Sequence, residues 1–143
     1  MTSIGQSGFW RGRRVLVTGH TGFKGAWLCA MLLRRGAAVA GLALPPDTTP
    51  SLWALAPYAN DVEERMVDVR DAERAGAAVA ELRPQTVFHL AAQPLVRRGY
   101  AEPVETYATN VMGTVHVLDA VRRSAVENVV VVTSDKVYAD DPQ

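Results

Sequence analysis

The regular alternation of short apolar runs with longer helical patterns is the feature that most constrains how this chain can fold. Apolar runs of strand length cover residues 14–18, 38–44, 65–69, 86–91 and 128–133. Helical spacing of apolar side chains covers residues 23–35, 72–82 and about 103–121, and a short helical turn is predicted over 51–56. A chain that repeats strand then helix in this way predicts a parallel sheet whose crossovers are helices.

Residues that start and stop helices stand at the ends of these patterns. Gly36 is placed to end the first helix, Asp71 to cap the second, and Pro84 to follow its end. Pro103 suits the first turn of the third helix, which keeps one apolar face over about five turns. That face comprises Val104, Ala108, Val111, Val115, Leu118 and Val121. The sequence therefore predicts an α/β fold with a doubly wound parallel sheet of five strands, β-α-β-α-β-α-β-α-β, and a ligand crevice beyond the carboxyl ends of strands one and four.

The composition fits one cytoplasmic domain and argues against several other classes of protein. The 143 residues are 48% hydrophobic, enough for a packed core, and no apolar run approaches the roughly 20 residues that span a membrane. The 15 basic and 15 acidic residues are dispersed, which argues against a nucleic-acid partner. The single cysteine, Cys29, cannot form an internal disulfide, so a reducing cytoplasm is expected.

A glycine run stands between the first strand and the first helix, with G-x-x-G-x-x-G spacing. One glycine allows a tight turn, the next lets a pyrophosphate approach the backbone, and the third lets the helix pack closely on the strand. Unpaired N–H groups at the helix start can then hold the phosphates. The predicted dinucleotide site comprises Gly19, His20, Thr21, Gly22, Phe23, Lys24 and Gly25. The alternative is an ordinary glycine-rich turn, in which Lys24 is a solvated lysine and not a phosphate ligand.

The position that selects between NAD and NADP does not follow the usual pattern. A ribose-binding Asp or Glu is expected about 20 residues after the glycine run, at the end of the second strand. Leu44, Pro45 and Pro46 stand there instead, and Asp47 follows them. These residues leave both cofactors open, and Lys24 would suit a 2′-phosphate. NAD is preferred on the mechanism given below.

Further cofactor contacts are expected at the ends of the third and fourth strands, because the carboxyl ends of parallel strands face one crevice. Asp68, followed by Val69, is placed to accept a hydrogen bond from the adenine amino group. Asp68 and Asp71 also suit simple turn and cap roles. At the end of the fourth strand, small side chains would let a flat ring pass close to the backbone; the candidates are Leu90, Ala91 and Ala92.

The three histidines give no indication of a metal site. His89 precedes a strand end and has no obvious partner, which favours a buried structural residue over an acid or a base. His20 and His116 form no metal-ligand spacing with any carboxylate or cysteine. No metal is therefore expected.

Five ordered motifs resemble those of the extended short-chain dehydrogenase/reductase family, whose NAD-binding part is a Rossmann-type domain. They are the glycine run at 18–25, DVRD at 68–71, HLAAQ at 89–93, NVMGT at 110–114 and TSDKVY at 133–138. Within the family, the strings GHTGFKG and FHLAAQPLVRRGY are similar to those of CDP-glucose 4,6-dehydratases. The likeness covers residues 9–140. It implies that residues 1–143 are the N-terminal, NAD-binding domain, truncated relative to the family, with the C-terminal substrate lobe absent.

The resemblance implies an enzyme that uses bound NAD on a nucleotide-diphosphate hexose. Similar dehydratases oxidise C4 of the sugar, eliminate water across C5 and C6, and return the hydride to C6. By motif position, Ser134 would hold the C4 hydroxyl, Asp135 would protonate the leaving hydroxyl, and Lys136 would act at C5. Without the resemblance, Lys136 is an exposed lysine in a turn and Asp135 a cap of that turn.

One departure from the family pattern affects the implied activity. The family's Tyr-x-x-x-Lys pair is absent, because Val62, Val104, Val111 and Pro142 stand four residues after the tyrosines. The chain alone is therefore expected to be inactive. Three interpretations stay open: a 4,6-dehydratase represented by its N-terminal half, a nucleotide-sugar 4-epimerase or reductase, and an inactive NAD-binding fragment. The apolar helix at 104–121 is a candidate homodimer face.

Overall fold

Five parallel strands form one sheet in the computed structural model, which describes residues 8–134. In chain order the strands are β1 Arg14–Thr18, β2 Ala38–Ala43, β3 Glu63–Met66, β4 Thr86–His89 and β5 Asn128–Val131. Their order across the sheet is β3-β2-β1-β4-β5, and each neighbouring pair is parallel. The chain winds outward from β1 in both directions, so the predicted doubly wound sheet is confirmed.

Helices cover both faces of the sheet. They are α1 Phe23–Arg34, α2 Ala72–Leu82, α3 Val96–Ala101, α4 Pro103–Tyr107 and α5 Gly113–Arg122, and a π-helical turn, Ala108–Met112, joins α4 to α5. Side chains alternate along β1: Val15 and Val17 pack in a cluster with α1, whereas Leu16 packs in a cluster with α2 and α5. Because both faces are covered, the strands read as continuous apolar runs. Within residues 8–134, no helix is both long and apolar enough to cross a bilayer.

The third strand lies earlier in the chain than predicted. The apolar pattern indicates residues 65–69, whereas β3 covers Glu63–Met66. Met66 pairs with Ala43, the last residue of β2, so the hydrogen-bonded ladder between β2 and β3 cannot extend further. Val67 and Val69 are apolar because they pack from the following loop into the cluster with α2 and α5. The strands β2, β4 and β5 likewise end one or two residues before the predicted positions.

The long helix predicted over 103–121 places its apolar stripe outward. Its buried positions are Gly113, Val117 and Ala120. A Cβ at Gly113 would lie 2.6 Å from a methyl carbon of Val69, so close packing selects small residues for the inner face. Val104, at one end of the predicted stripe, is 80% exposed. The π-helical turn interrupts the α-helical pattern, and α3 lies in a segment for which the sequence predicts no element.

The ends of α1 and α2 match the predicted stop and start residues. Gly36 follows α1 with a φ of 81°, the left-handed conformation that glycine adopts after a helix C-terminus. Asp71 precedes α2, and its carboxylate accepts a hydrogen bond from the backbone N–H of Arg74 at 3.0 Å. Asp71 therefore satisfies one of the N–H groups that have no acceptor inside the helix.

The cap of α2 makes a measurable contribution to stability. We expect Asp71→Ala to lower the free energy of unfolding by about 0.5–2 kcal/mol, because the Arg74 N–H loses its acceptor. Asp71→Asn is the matched control, since its amide oxygen still caps the helix. Urea unfolding of the three proteins measures both changes; an Ala variant as stable as the Asn variant would contradict the assignment.

Candidate functional site

Close packing requires glycine at two positions, one in the turn after β1 and one in the first turn of α1. Gly19 has a φ of 73°, and a Cβ there would lie 2.8 Å from the backbone N of Ala91, just beyond β4. A Cβ at Gly25 would lie 2.7 Å from the Cα of His20, so α1 packs directly against the turn. Both contacts are with backbone atoms, which cannot move aside. The turn is therefore held close to β4 on one side and to α1 on the other.

Gly22 occupies a different environment, at the start of α1. A Cβ at Gly22 would meet only the carbonyl oxygen of Gly19, at 3.3 Å. Gly22 is the N-cap of α1 and no side chain caps this helix. The first N–H groups of a helix have no acceptor inside it, and the helix dipole adds partial positive charge there. Exposed Lys24 adds a full positive charge in the first turn, so the helix start is suited to an anion.

Two of the predicted cofactor-binding side chains instead fasten the turn to the sheet. The hydroxyl of Thr21 donates to the carbonyl oxygen of Leu44 at 2.8 Å. The imidazole of His20 is fully buried, and its Nε2 lies 3.1 Å from Oε1 of Glu64 on β3. These two side chains therefore hold the turn in place on the sheet.

The end of β4 is bonded to the end of β1. The backbone N–H groups of Leu90 and Ala91 both donate to the hydroxyl oxygen of Thr18, each at 3.2 Å. The structure thus brings the glycine turn together with the predicted residues Leu90 and Ala91. Ala92, the next residue, is exposed at the same edge of the sheet.

His89 has two partners that the sequence pattern does not reveal. Its Nδ1 lies 2.7 Å from the Thr18 hydroxyl, and its Nε2 lies 3.0 Å from the Thr114 hydroxyl. The prediction that His89 is buried is confirmed, but the expectation that it lacks a partner is wrong. The partners lie 71 and 25 residues away in sequence, so only the folded topology brings them together.

The donors and acceptors around His89 fix the position of its proton. Thr18 already accepts two backbone N–H groups, so its own proton is left to donate to Nδ1 of His89. Burial lowers the pKa of His89 and keeps the ring neutral. The ring proton is then on Nε2 and is donated to Thr114, whose hydroxyl donates in turn to the Asn110 carbonyl oxygen at 2.7 Å.

Asn110 lies in the π-helical turn and fixes the loop that follows β4. Its Oδ1 accepts from the backbone N–H of Gln93 at 2.7 Å, and its Nδ2 donates to the Gln93 carbonyl at 3.0 Å. A continuous set of hydrogen bonds therefore runs from Thr18, through His89 and Thr114, to this loop. The motifs HLAAQ and NVMGT contain all four of these residues, His89, Gln93, Asn110 and Thr114. The presence of both motifs is the sequence signal that could have indicated contact between the end of β4 and the π-helical turn.

Asp68 and Val69 lie in the loop after β3 and not at the end of the strand as predicted. The Asp68 carboxylate accepts from Nη2 of Arg70 at 2.6 Å and from its backbone N–H at 2.9 Å. The hydrogen bonds from Arg70 lower the pKa of Asp68. Arg70 also pairs with Glu105. Val69 is buried against α5, and its carbonyl accepts from Nδ1 of His116 at 2.9 Å.

Of the three predicted catalytic residues, only Ser134 lies among the described residues, and it follows β5. The strand ends at Val131, next to β4, and the Val132 N–H donates to the His89 carbonyl at 3.0 Å. Ser134 is exposed beyond this point. Asp135 and Lys136 lie outside the described residues. Among residues 8–134, no three His, Cys, Asp or Glu side chains are grouped to hold a metal ion.

The glycine turn leads to the start of a helix that no side chain caps. It lies between β1 and β4, where the strand order of the sheet reverses. Together these features define a dinucleotide-binding domain of the doubly wound class. Comparison with known sequences gives the family. The chain belongs to the NAD dependent epimerase/dehydratase family, whose sequence profile matches residues 15–143.

Individual relatives include both dehydratases and epimerases. The chain is 51% identical over 131 residues to a CDP-glucose 4,6-dehydratase of Salmonella typhimurium, covering 91% of this chain and 36% of the relative. It is 37% identical to a UDP-glucose 4-epimerase of Mycolicibacterium smegmatis, covering 90% and 41%. The crystal structure of Thermus thermophilus UDP-glucose 4-epimerase in complex with NAD superposes with a TM-score of 0.70 and 36% identity, covering 81% and 36%. The chain thus spans well under half the length of these relatives.

The Thr18 hydroxyl carries the contact between β1 and β4. We expect Thr18→Val to lower the free energy of unfolding by about 1–3 kcal/mol, because the Ala91 N–H and Nδ1 of His89 lose their partner. The Leu90 N–H keeps its second acceptor, the Thr18 backbone carbonyl. Thr86→Val is the matched control, since the buried Thr86 hydroxyl has no hydrogen-bond partner among the described residues. Chemical unfolding should show the control unchanged or slightly stabilised. Equal losses in the two variants would contradict the assigned role of Thr18.

Proposed function

We propose that the protein is an NAD-dependent nucleotide-sugar 4,6-dehydratase that converts CDP-glucose to CDP-4-keto-6-deoxyglucose. The observation that carries the proposal is the 51% identity to a CDP-glucose 4,6-dehydratase over 91% of this chain. The activity is proposed for the protein at the length of its relatives, because the chain spans only 36% of that dehydratase.

The proposed cofactor site fits the geometry of the described residues. The exposed backbone at Gly22 and the uncapped start of α1 would take the pyrophosphate, and Leu90 to Ala92 would lie beside the nicotinamide end. NAD, when bound, accepts the hydride from C4 and later returns it to C6. The family description names NAD, and a relative's crystal structure contains it. The end of β2 supplies Leu44 and Pro45 in place of a carboxylate, so it selects neither NAD nor NADP.

The proposed chemistry of this chain's own residues concerns proton transfer at the sugar. Ser134 would hold the C4 hydroxyl while it is oxidised, and the proton of that hydroxyl would pass to a base in the rest of the protein at the length of its relatives. The resulting C4 ketone makes the C5 proton acidic, and Lys136 would serve as the base that removes it. Asp135 would protonate the C6 hydroxyl, which leaves as water when the C5–C6 double bond forms. Their position in the motif that follows β5 supports these roles, because ligands of doubly wound folds bind beyond the carboxyl ends of the strands.

A 4-epimerase is the second candidate, since a UDP-glucose 4-epimerase is 37% identical to the chain. Epimerisation exchanges hydride at C4 without loss of water, so it needs no acid at C6 and no base at C5. The presence of both Asp135 and Lys136 favours elimination over epimerisation. A non-catalytic NAD-binding protein is the third candidate, and it would bind the cofactor without turning over a sugar nucleotide.

We also propose how the domain is covered in the whole protein. Strand β5 is at the edge of the sheet, and Val129 and Val130 on it are exposed. An exposed apolar edge strand is normally paired or covered, which supports further strands and a substrate lobe outside these 143 residues. The outward stripe of α4 and α5, including Val104, Val111 and Val115, supports a homodimer through this helix.

Gly22 provides the direct test of the cofactor site. We expect Gly22→Val to weaken NAD binding by about tenfold or more, because the side chain fills the space proposed for the pyrophosphate. Gly76→Ala, on α2 and far from the turn, should leave the affinity unchanged. Titration calorimetry measures both; unaltered NAD affinity in Gly22→Val would refute the site.

The reaction itself is tested with the protein at the length of its relatives. Incubation with CDP-glucose and NAD should give the 4-keto-6-deoxy product, whereas an epimerase would give CDP-galactose. Asp135→Asn should still oxidise C4 but lose product formation by about 10²–10⁴-fold, because an amide cannot protonate the leaving hydroxyl. Product analysis by mass spectrometry and sugar chromatography separates these outcomes. Undiminished 4-keto-6-deoxy product from Asp135→Asn would overturn the assigned role.

A further inference from the structure

His20 ties the glycine turn to a strand that the turn does not adjoin. The turn follows β1, whose sheet neighbours are β2 and β4, whereas Glu64 lies on β3 at the edge of the sheet. The imidazole crosses β2 to reach Glu64, with Nε2 3.1 Å from Oε1. Its ring packs edge-on against Trp53, with the ring centroids 4.7 Å apart. This partly buried hydrogen bond across the sheet constrains the backbone of the turn.

Strand β2 contains the residue that admits this ring. Gly41 is in register with Val17 on one side and with Glu64 on the other. A Cβ at Gly41 would collide with the imidazole of His20. Glycine weakens the interior of a strand, so its presence at this position is explained by the space that His20 needs.

The His20–Glu64 contact is a hydrogen bond from a neutral imidazole. A carboxylate only accepts, so Nε2 carries the proton and donates it to Glu64. Burial lowers the pKa of His20, and the contact with Glu64 opposes that effect only in part. Two other titratable groups belong to the same side of the sheet, and burial raises the pKa of both: Cys29 to about 12, and Tyr58 above its usual value. Neither changes charge near neutral pH.

We propose that His20 is a positioning residue for the pyrophosphate-binding turn and acts through Glu64. The inference rests on the proposed binding of NAD. Two hydrogen bonds, each 2.8 Å long, already fix the turn to the end of β2 and the residue after it. They run from the Gly19 N–H to the Leu42 carbonyl and from the Thr21 hydroxyl to the Leu44 carbonyl. The bond to Glu64 adds a third point of attachment on β3. Three attachments to the sheet hold the N–H groups at the start of α1 toward the crevice.

The experiment compares ligands with and without a pyrophosphate in variants of the full chain. Glu64 is 32% exposed on its side chain, so Glu64→Ala should fold normally. We expect Glu64→Ala and His20→Ala to lower the affinity for NAD and ADP about tenfold in calorimetry and to leave the affinity for adenosine unchanged. Glu64→Gln should stay within about threefold of the wild type, because its amide oxygen still accepts from Nε2.

Tyr58→Phe is the matched control. It removes another hydrogen bond on the same side of the sheet, from the Tyr58 hydroxyl to the Ala26 carbonyl in α1 at 2.8 Å, and keeps both partners of the His20–Glu64 bond. Its ADP affinity should equal that of the wild type. The inference is overturned if Glu64→Ala binds ADP like the wild type, if adenosine affinity falls as much as ADP affinity, or if Tyr58→Phe has the same effect. A wild-type protein that binds neither NAD nor ADP would instead overturn the proposed function, and the inference with it.

Discussion

The close approach of the turn after β1 to the end of β4 is the constraint on which the rest of the site depends. No side chain fits between Gly19 and the backbone of Ala91, so the two strand ends meet backbone to backbone. The Thr18 hydroxyl then satisfies the N–H groups that emerge from β4. The helix α1 starts just beyond the carboxyl end of β1, and no side chain caps its first N–H groups. A binding surface for a dinucleotide therefore arises from close packing and not from a set of projecting side chains.

Two buried histidines support this surface from opposite faces of the sheet. His89 links β1 and β4 to the helical layer of α5 through Thr114, and His20 links the turn to β3 through Glu64. In both cases burial lowers the pKa and the surrounding acceptors determine which ring nitrogen carries the proton. Each neutral imidazole makes hydrogen bonds of fixed direction at a buried position, where burying a charged side chain would cost free energy. The catalytic groups proposed after β5 would then act on a fixed cofactor.

Local signals in the sequence were sufficient for the order of the five strands, for α1 and α2, for the glycine turn, and for the helix ends at Gly36 and Asp71. Each of these depends on a few adjacent residues and on backbone geometry. The limits of β3 were not predictable in the same way, because an edge strand ends where its neighbour ends. The partners of His89 and the outward direction of the stripe at Val104 also depend on long-range packing. Sequence identifies these side chains as polar or apolar, but only the fold determines what they contact.

The central claim is that the turn after β1 and the start of α1 bind the pyrophosphate of NAD, with the end of β4 beside the nicotinamide. Backbone amide NMR during an NAD titration tests it most directly, because the signals report each N–H group separately. The predicted result is that shifts concentrate at Gly22, Phe23, Lys24 and Gly25, with a second group at Leu90 and Ala91. Saturable binding that leaves these amides unmoved and shifts residues elsewhere, or the absence of NAD binding, would contradict the claim.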